Sequence, residues 1–271
     1  MIRLVAMAHI ARLLEQRSSG SVDLRMERGG VAILREEGSA KCRLPRGSDT
    51  AILINSSGGL AGGDSHTVRA TAGPAARLTL TTQAAERVYR SLGPAADVSV
   101  TLSAEAGATL HWLPQEMILF DGSALRRRID VDLAHDATFL AVEALVLGRT
   151  ERQEFLDTVA LSDCWTVRVG GQIIHAERLG LGPELPRSRA TLGDNQAMAT
   201  MLLVSPQAER LLQPMRDMLG PTGGVSAWTV GGTGKLVARL LAKDGYSLRK
   251  MLIQALSACV APLDLPKVWT M

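Results

Sequence analysis

Through most of the first 180 residues, apolar and polar positions alternate with a period of two, the spacing of strands that bury one face. The pattern predicts strands at residues 22–27, 31–35, 52–55, 67–71, 77–82, 97–102, 109–113, 128–133, 138–147, 155–161, 166–169 and 172–179. Turn residues separate nearly all of them. No helical pattern of useful length lies between them, which argues against a doubly wound sheet. Helical spacing appears at residues 4–16, 206–219 and 246–260. The second of these has Ser205 as its predicted N-cap and Gly220-Pro221 as its stop. Residues 225–230 and 235–241 read as a strand pair around Gly231-Gly232-Thr233-Gly234. The pattern therefore predicts a mainly β fold: a β-rich part over 18–180, then an α+β section with two helices over 196–271, all in one domain.

A weak repeat runs through the β-rich part. Ala76-Arg77-Leu78, Ala108-Thr109-Leu110 and Ala137-Thr138-Phe139 each open a strand after a turn, at intervals of about thirty residues. Such a period predicts β layers stacked over a shared core.

Composition narrows the function. At 271 residues, 46% hydrophobic and 21% charged, the chain has ample material for a large core. A net charge of +3 without a dense basic run, and only 3% aromatic residues, give no footprint for nucleic acid. Cys42, Cys164 and Cys259 are far apart and form no C-x-x-C pair, as expected of small core residues in a reducing compartment. The longest N-terminal apolar run is too short to span a membrane, so the expectation is a cytoplasmic protein without a membrane partner.

Several motif readings fail. Gly231-Gly232-Thr233-Gly234-Lys235 lacks the hydroxyl residue and first glycine of a phosphate loop and reads as a hairpin turn. The five histidines have no metal-site spacing, and there is no Gly-x-Ser-x-Gly elbow. Four glycines in six residues, Gly58, Gly59, Gly62 and Gly63, mark backbone that turns sharply or is closely approached. Asp64 closes that loop, and Asp64 and His66 share a face if the chain is extended there.

The acids carry the remaining chemistry. Glu143 sits inside TFLAVEALVL, which is apolar on both faces of an extended chain. A carboxylate there needs a partner, because an isolated buried charge is very costly. That partner is either an arginine such as Arg149 or an internal polar path. His175 and Glu177 share one strand face in GGQIIHAERL. They offer either an edge ion pair or an imidazole and a carboxylate, ligand types that suit borderline divalent ions.

Five blocks occur in order: SSGGLAGGD at 56–64, TTQAAERVYR at 81–90, WLPQEMILF at 112–120, GRTERQEF at 148–155 and LPKVWTM at 265–271. In this the chain resembles the urease accessory protein family UreD, also called UreH. The resemblance implies a β-helix-like stack of sheets and a non-enzymatic protein. Such a protein binds apo-urease on one side and UreF, with UreG through it, on the other, and passes a transient nickel ion with no tightly bound cofactor. It implies that Asp64, Glu143 and Glu177 line an internal passage with Thr81 close by. Glu86 stands where the family usually has a small hydroxyl residue, as an extra passage carboxylate or a surface pair with Arg87 or Arg90. Gln153-Glu154 stands where the family usually has Gly-Glu. The competing function is a β-helix enzyme on acidic or glycan substrates with paired carboxylates, which the scarcity of aromatics disfavours. Trp269 in the terminal block is either a docking element or a tail tucked into the core.

Overall fold

The computed structural model describes residues 17–148, 156–183, 185, 187–188, 190–260 and 265–270. The predicted helix at 4–16, Arg149 and the Gln153-Glu154 departure lie outside the described residues.

Seventeen strands build two large sheets among the described residues. The first contains β1 (Ser19–Glu27), β2 (Gly30–Gly38), β5 (Ser65–Ala72), β8 (Ala96–Ala104), β11 (Ser123–Leu133), β13 (Val159–Val169) and β14 (Gln172–Leu181), in the order β14-β13-β11-β8-β5-β1-β2. Its inner strands are all parallel, and β2 and β14 close the two edges antiparallel. The second contains β3 (Ala40–Arg43), β4 (Thr50–Asn55), β6 (Arg77–Thr82), β9 (Thr109–Trp112), β12 (Thr138–Leu147), β15 (Ala197–Val204), β16 (Gly223–Val230) and β17 (Thr233–Ala242). Its order is β16-β17-β15-β12-β9-β6-β4-β3. The short strands β7 (Glu86–Val88) and β10 (Met117–Leu119) pair parallel with each other, and β10 pairs with the end of β12, as a third face.

The chain thus coils. Each turn passes from the second sheet through the third face to the first, so that consecutive turns lie on one another as parallel strands. The alanine repeat marks the stacking: Thr109 N–H donates to the Ala76 carbonyl and Thr138 N–H to the Ala108 carbonyl, both at 2.9 Å. Alternation works as the pattern requires. Leu24, Leu78, Leu102, Leu110 and Phe139 point into one apolar core between the sheets, each worth about 1.5–3 kcal/mol relative to an exposed side chain.

The α+β section continues the second sheet, because β15 pairs antiparallel with β12. Helices α1 (Leu212–Leu219), α2 (Gly245–Val260) and α3 (Lys267–Thr270) cover the outer side of that sheet. This is why β12 is apolar on both faces: Phe139 and Ala141 face the inner core, whereas Leu140, Val142 and Ala144 lie under the helices. Helix α2 begins where Asp244 accepts the Ser247 N–H at 2.7 Å, and it buries Leu248, Leu252, Ala255 and Leu256. At the β16–β17 turn, Gly231 and Gly232 have φ of 58° and 82°, the left-handed pair that a two-residue hairpin demands.

Several expectations are corrected. The segment predicted as one helix over 206–219 opens with a 3₁₀ turn, Ala208–Leu211, and Ser205 contacts it through the Gln207 N–H at 3.1 Å. The two strands expected at 155–161 and 166–169 form the single β13 within its described span. Strands β3, β7, β10 and β15 were not expected. Cys42 is buried as predicted, whereas Cys164 and Cys259 are half-buried, Cys259 packing against the core under the helices. The terminal block is tucked in: Trp269 is buried, its indole N–H donates to the Leu113 carbonyl at 3.0 Å, and the Arg249 guanidinium lies 5.2 Å from its ring centre.

Candidate functional site

The interior is not uniformly apolar. On β11, inward positions alternate as Leu125, Arg127, Ile129, Val131 and Leu133; on β13 they are Val159, Leu161, Asp163, Trp165 and Val167. Arg127 and Asp163 are register partners on these neighbouring strands. Glu143 faces them from β12 on the opposite sheet.

These three side chains form a buried triad, each no more than 5% exposed. Arg127 Nε donates to Asp163 Oδ1 at 3.1 Å and Nη2 to Asp163 Oδ2 at 2.6 Å. Its Nη1 reaches across to Glu143 Oε2. Trp112 Nε1–H donates to Glu143 Oε1 at 2.7 Å, and Trp165 Nε1–H lies 3.4 Å from Asp163 Oδ2. Burial works against the guanidinium charge, but the two carboxylates overcome it and raise the Arg127 pKa. Burial also pushes the Glu143 carboxyl above its ordinary value, with the Asp163 charge adding to burial and Arg127 opposing it. Burial is thus the main cause at Glu143, and the single cation shared with Asp163 does not fully offset it.

Two cavities meet at this triad. The first, about 230 Å³, is lined by His66, Glu86, Trp112, Gln115, Arg127 and Glu143 among others. The second, about 340 Å³, takes in Arg127, Glu143, Asp163, Glu177, Thr200 and Arg239. A third, about 540 Å³, shares Glu177 and Arg239 with the second and adds His175 and Lys235.

The predicted site residues separate on this geometry. Glu143 lines both of the first two cavities, and Arg127 is paired with it. Glu177 lines the far cavities and pairs with Arg239, with His175 Nε2 at 3.9 Å from its carboxylate. His175 Nε2 has no hydrogen-bond partner, and burial with the Lys235 and Arg239 charges lowers that histidine to about 4. His66 lines the first cavity, with its Nε2 at 2.9 Å from Ser39 Oγ; burial lowers its pKa, Asp64 opposing.

Glu86 also lines the first cavity. It accepts hydrogen bonds from Asn55 Nδ2 at 3.2 and 3.3 Å. Burial lifts its carboxyl to about 7, opposed by the Asn55 bonds. It is half-buried; of the two arginines named for a surface pair, Arg90 pairs with Asp121, and the Arg87 charge acts on Glu86.

Two members of the expected set lie elsewhere. Asp64 is buried, but its oxygens are taken by the backbone N–H groups of Ser18 at 2.7 Å and Ala61 at 2.8 Å. It pins the glycine loop and lines neither of the first two cavities. That loop is held against the third face: Leu60 N–H donates to the Arg87 carbonyl at 2.7 Å, and Gly59, at φ 151°, leaves a Cβ only 2.3 Å from the Tyr89 ring. Thr81 is buried without a hydrogen bond for its hydroxyl and also lines neither cavity; its neighbour Thr82 lines the first. Among the described residues, no three His, Cys, Asp or Glu side chains converge as a metal cage, and no helix is long and apolar enough to cross a membrane.

Arg127 and Asp163 were missed by sequence reasoning. The signal was strand parity: both occupy positions that the flanking apolar residues assign to the core.

Fold and site together define a solenoid of stacked β layers with charged residues buried between its sheets. The chain belongs to the UreD family: the family described as "UreD urease accessory protein" matches residues 18–270. It is 43% identical over 272 residues to urease accessory protein UreD 1 of Brucella abortus biovar 1 (strain 9-941), covering 97% of each chain. It is 45% identical over 244 residues to urease accessory protein UreD of Agrobacterium fabrum (strain C58 / ATCC 33970), covering 88% of this chain and 84% of that one. Against the UreD of Sinorhizobium medicae (strain WSM419) the identity is 43% over 273 residues, covering 96% and 99%.

Proposed function

We propose that this chain serves urease maturation as a non-enzymatic scaffold in the cytoplasm. It binds apo-urease on one side and UreF, with UreG beyond it, on the other. Nickel is its cargo, not a resident cofactor. The ion crosses the interior from the cavity holding His66 and Glu86, past Glu143, to the cavities that share Glu177.

The observation that supports this reading is that two cavities share the buried Arg127 and Glu143 in their walls. A transit path calls for carboxylates that exchange ligands with water and hold the ion loosely. Carboxylates distributed along linked cavities, without a cage, meet that requirement. The glycan-enzyme reading needs two acids facing a substrate in an open cleft. Here the two closest buried acids share one guanidinium inside the core, which favours the scaffold.

Glu143→Gln tests the route. The variant keeps the size of the side chain and leaves Arg127 paired with Asp163. Urease matured with it should carry less nickel per active site than with the wild type, while the accessory complex is recovered in equal amount. Full nickel loading by a folded Glu143→Gln protein would remove Glu143 from the path.

A further inference from the structure

We propose that Arg127 is the selectivity gate of this route: a resident cation that bars monovalent ions and gives up Glu143 to a divalent one. The inference rests on the passage reading, and its test is separable from it.

The guanidinium, with Glu143, is part of the wall that the first two cavities share. Its bonds are unequally divided. Nε and Nη2 form a two-pronged fork on Asp163, a residue of the same sheet and in register with Arg127. Only Nη1 crosses to Glu143 on the other sheet. Releasing Glu143 therefore breaks one contact and leaves the stronger, bidentate pairing intact. The Glu143 carboxylate does not then stand alone, because Trp112 Nε1–H holds its other oxygen at 2.7 Å. The cavity beyond, about 340 Å³, gives the displaced head group room on the Asp163 side.

Charge decides which ions succeed. An approaching cation meets a fixed positive charge at low dielectric, where repulsion is far stronger than in water. A monovalent ion that displaced Nη1 would exchange one single charge for another, lose its own hydration and forfeit a preorganised hydrogen bond. Repulsion from Arg127 and attraction to the acids both double for a divalent ion, but one guanidinium faces two carboxylates, so the net attraction is about twice that of a monovalent ion. The divalent ion also meets a carboxylate with less than a full counter-charge, since Asp163 claims the larger share of the guanidinium. On this argument Arg127 supplies discrimination by charge, and the carboxylates supply the stepping stones.

The experiment is thermal melting of the purified full chain and of Arg127→Met, in chelator, in NiCl₂, and in NaCl of matched ionic strength. Removing the guanidinium leaves Glu143 and Asp163 without a cation. Arg127→Met should melt below the wild type in chelator and recover by roughly 5 °C with Ni²⁺. It should not recover with Na⁺. The wild type should rise less than Arg127→Met, because Ni²⁺ must first displace the guanidinium, and Arg127→Met/Glu143→Gln should lose the response. If Arg127→Met does not fold without metal, Arg127→Lys carries the same readout, because its shorter head group stays on Asp163 and frees Glu143. The proposal is overturned by no Ni²⁺-dependent rise in either variant, by an equal rise with Na⁺, or by a rise that survives Glu143→Gln. These melts contain no urease. A Ni²⁺ response at Arg127→Met together with full nickel loading through Glu143→Gln would retire the passage and keep the exchange at Arg127. No response together with impaired loading would retire the gate and keep the passage.

Discussion

The two sides of the buried triad handle a carboxylate in opposite ways. On the first side Glu86 is half-buried beside a neutral amide, Asn55, and its carboxyl is lifted to about 7 by burial although the Asn55 bonds and the Arg87 charge oppose the shift. On the far side Glu177 forms an ion pair with Arg239, whose side chain is 57% exposed. The first acid is kept by desolvation and a dipole, the second by a charge in contact with water. One residue type thus gives a site that exchanges protons near neutrality and a site that stays paired. Between them, Arg127 serves two acids at once, which neither flank attempts.

The strongest way to break this comparison is at its centre. Asp163→Ala strips Arg127 of its two-pronged partner and leaves a buried cation with one acid, which should cost about 3–5 kcal/mol of stability by urea denaturation. A loss below about 1 kcal/mol would mean the Arg127–Asp163 fork contributes no more than a surface pair. Glu143→Gln should cost less, about 1–2 kcal/mol, because it leaves a one-to-one pair and an amide that still accepts from Trp112. Equal losses from the two substitutions would contradict the unequal sharing of the guanidinium.

The flanks differ in pH dependence more than in energy. Glu86 keeps its proton in the folded state up to about 7, whereas the unfolded chain releases it near the ordinary value of 4.5. In that window the folded state binds more protons, so this residue makes stability fall as pH rises from about 4.5 to about 7. Glu86→Gln should flatten that part of the slope, as melts across the window will measure; an unchanged slope would place Glu86 in water. The smallest effect belongs to Arg239→Ala. A pair with one half-exposed member contributes about 0–1 kcal/mol, so the melting point should hardly move. A large drop would show that the two flanks are built alike.

Much of the fold was legible locally. Residues 77–82 and 138–147 are strands with the predicted bounds, and the interval between Ala76, Ala108 and Ala137 is the rise of one coil. Strand β15 escaped because AMATMLLV is buried on both faces and so loses the period of two. Strand β13 was split because Ser162-Asp163-Cys164 reads as a turn cluster, although Asp163 points inward to Arg127. Arg127 escaped because the predicted strand at 128–133 began one residue after it, whereas β11 starts at Ser123. Glu143 was legible because one acid among eight apolar residues of a strand calls for a partner.

Asp64 shows the limit from the other direction. Its setting beside a glycine-rich loop is plain in the sequence, yet either a cavity or the nearby backbone could have claimed its oxygens, and the backbone did.

The sequence by itself determined the strand-built class, the stacked repeat, the two C-terminal helices and the need for a partner at Glu143. Those follow from side chains two to four positions apart, which the backbone's own periodicity places on one face. Only the tertiary structure decided that Arg127, Asp163 and Glu143 share one point, that Glu86 and Glu177 lie on either side of it, and that Trp269 is sealed inside. Such meetings join residues from different turns of the coil and opposite sheets, and their positions follow from how the layers stack, which no local pattern encodes.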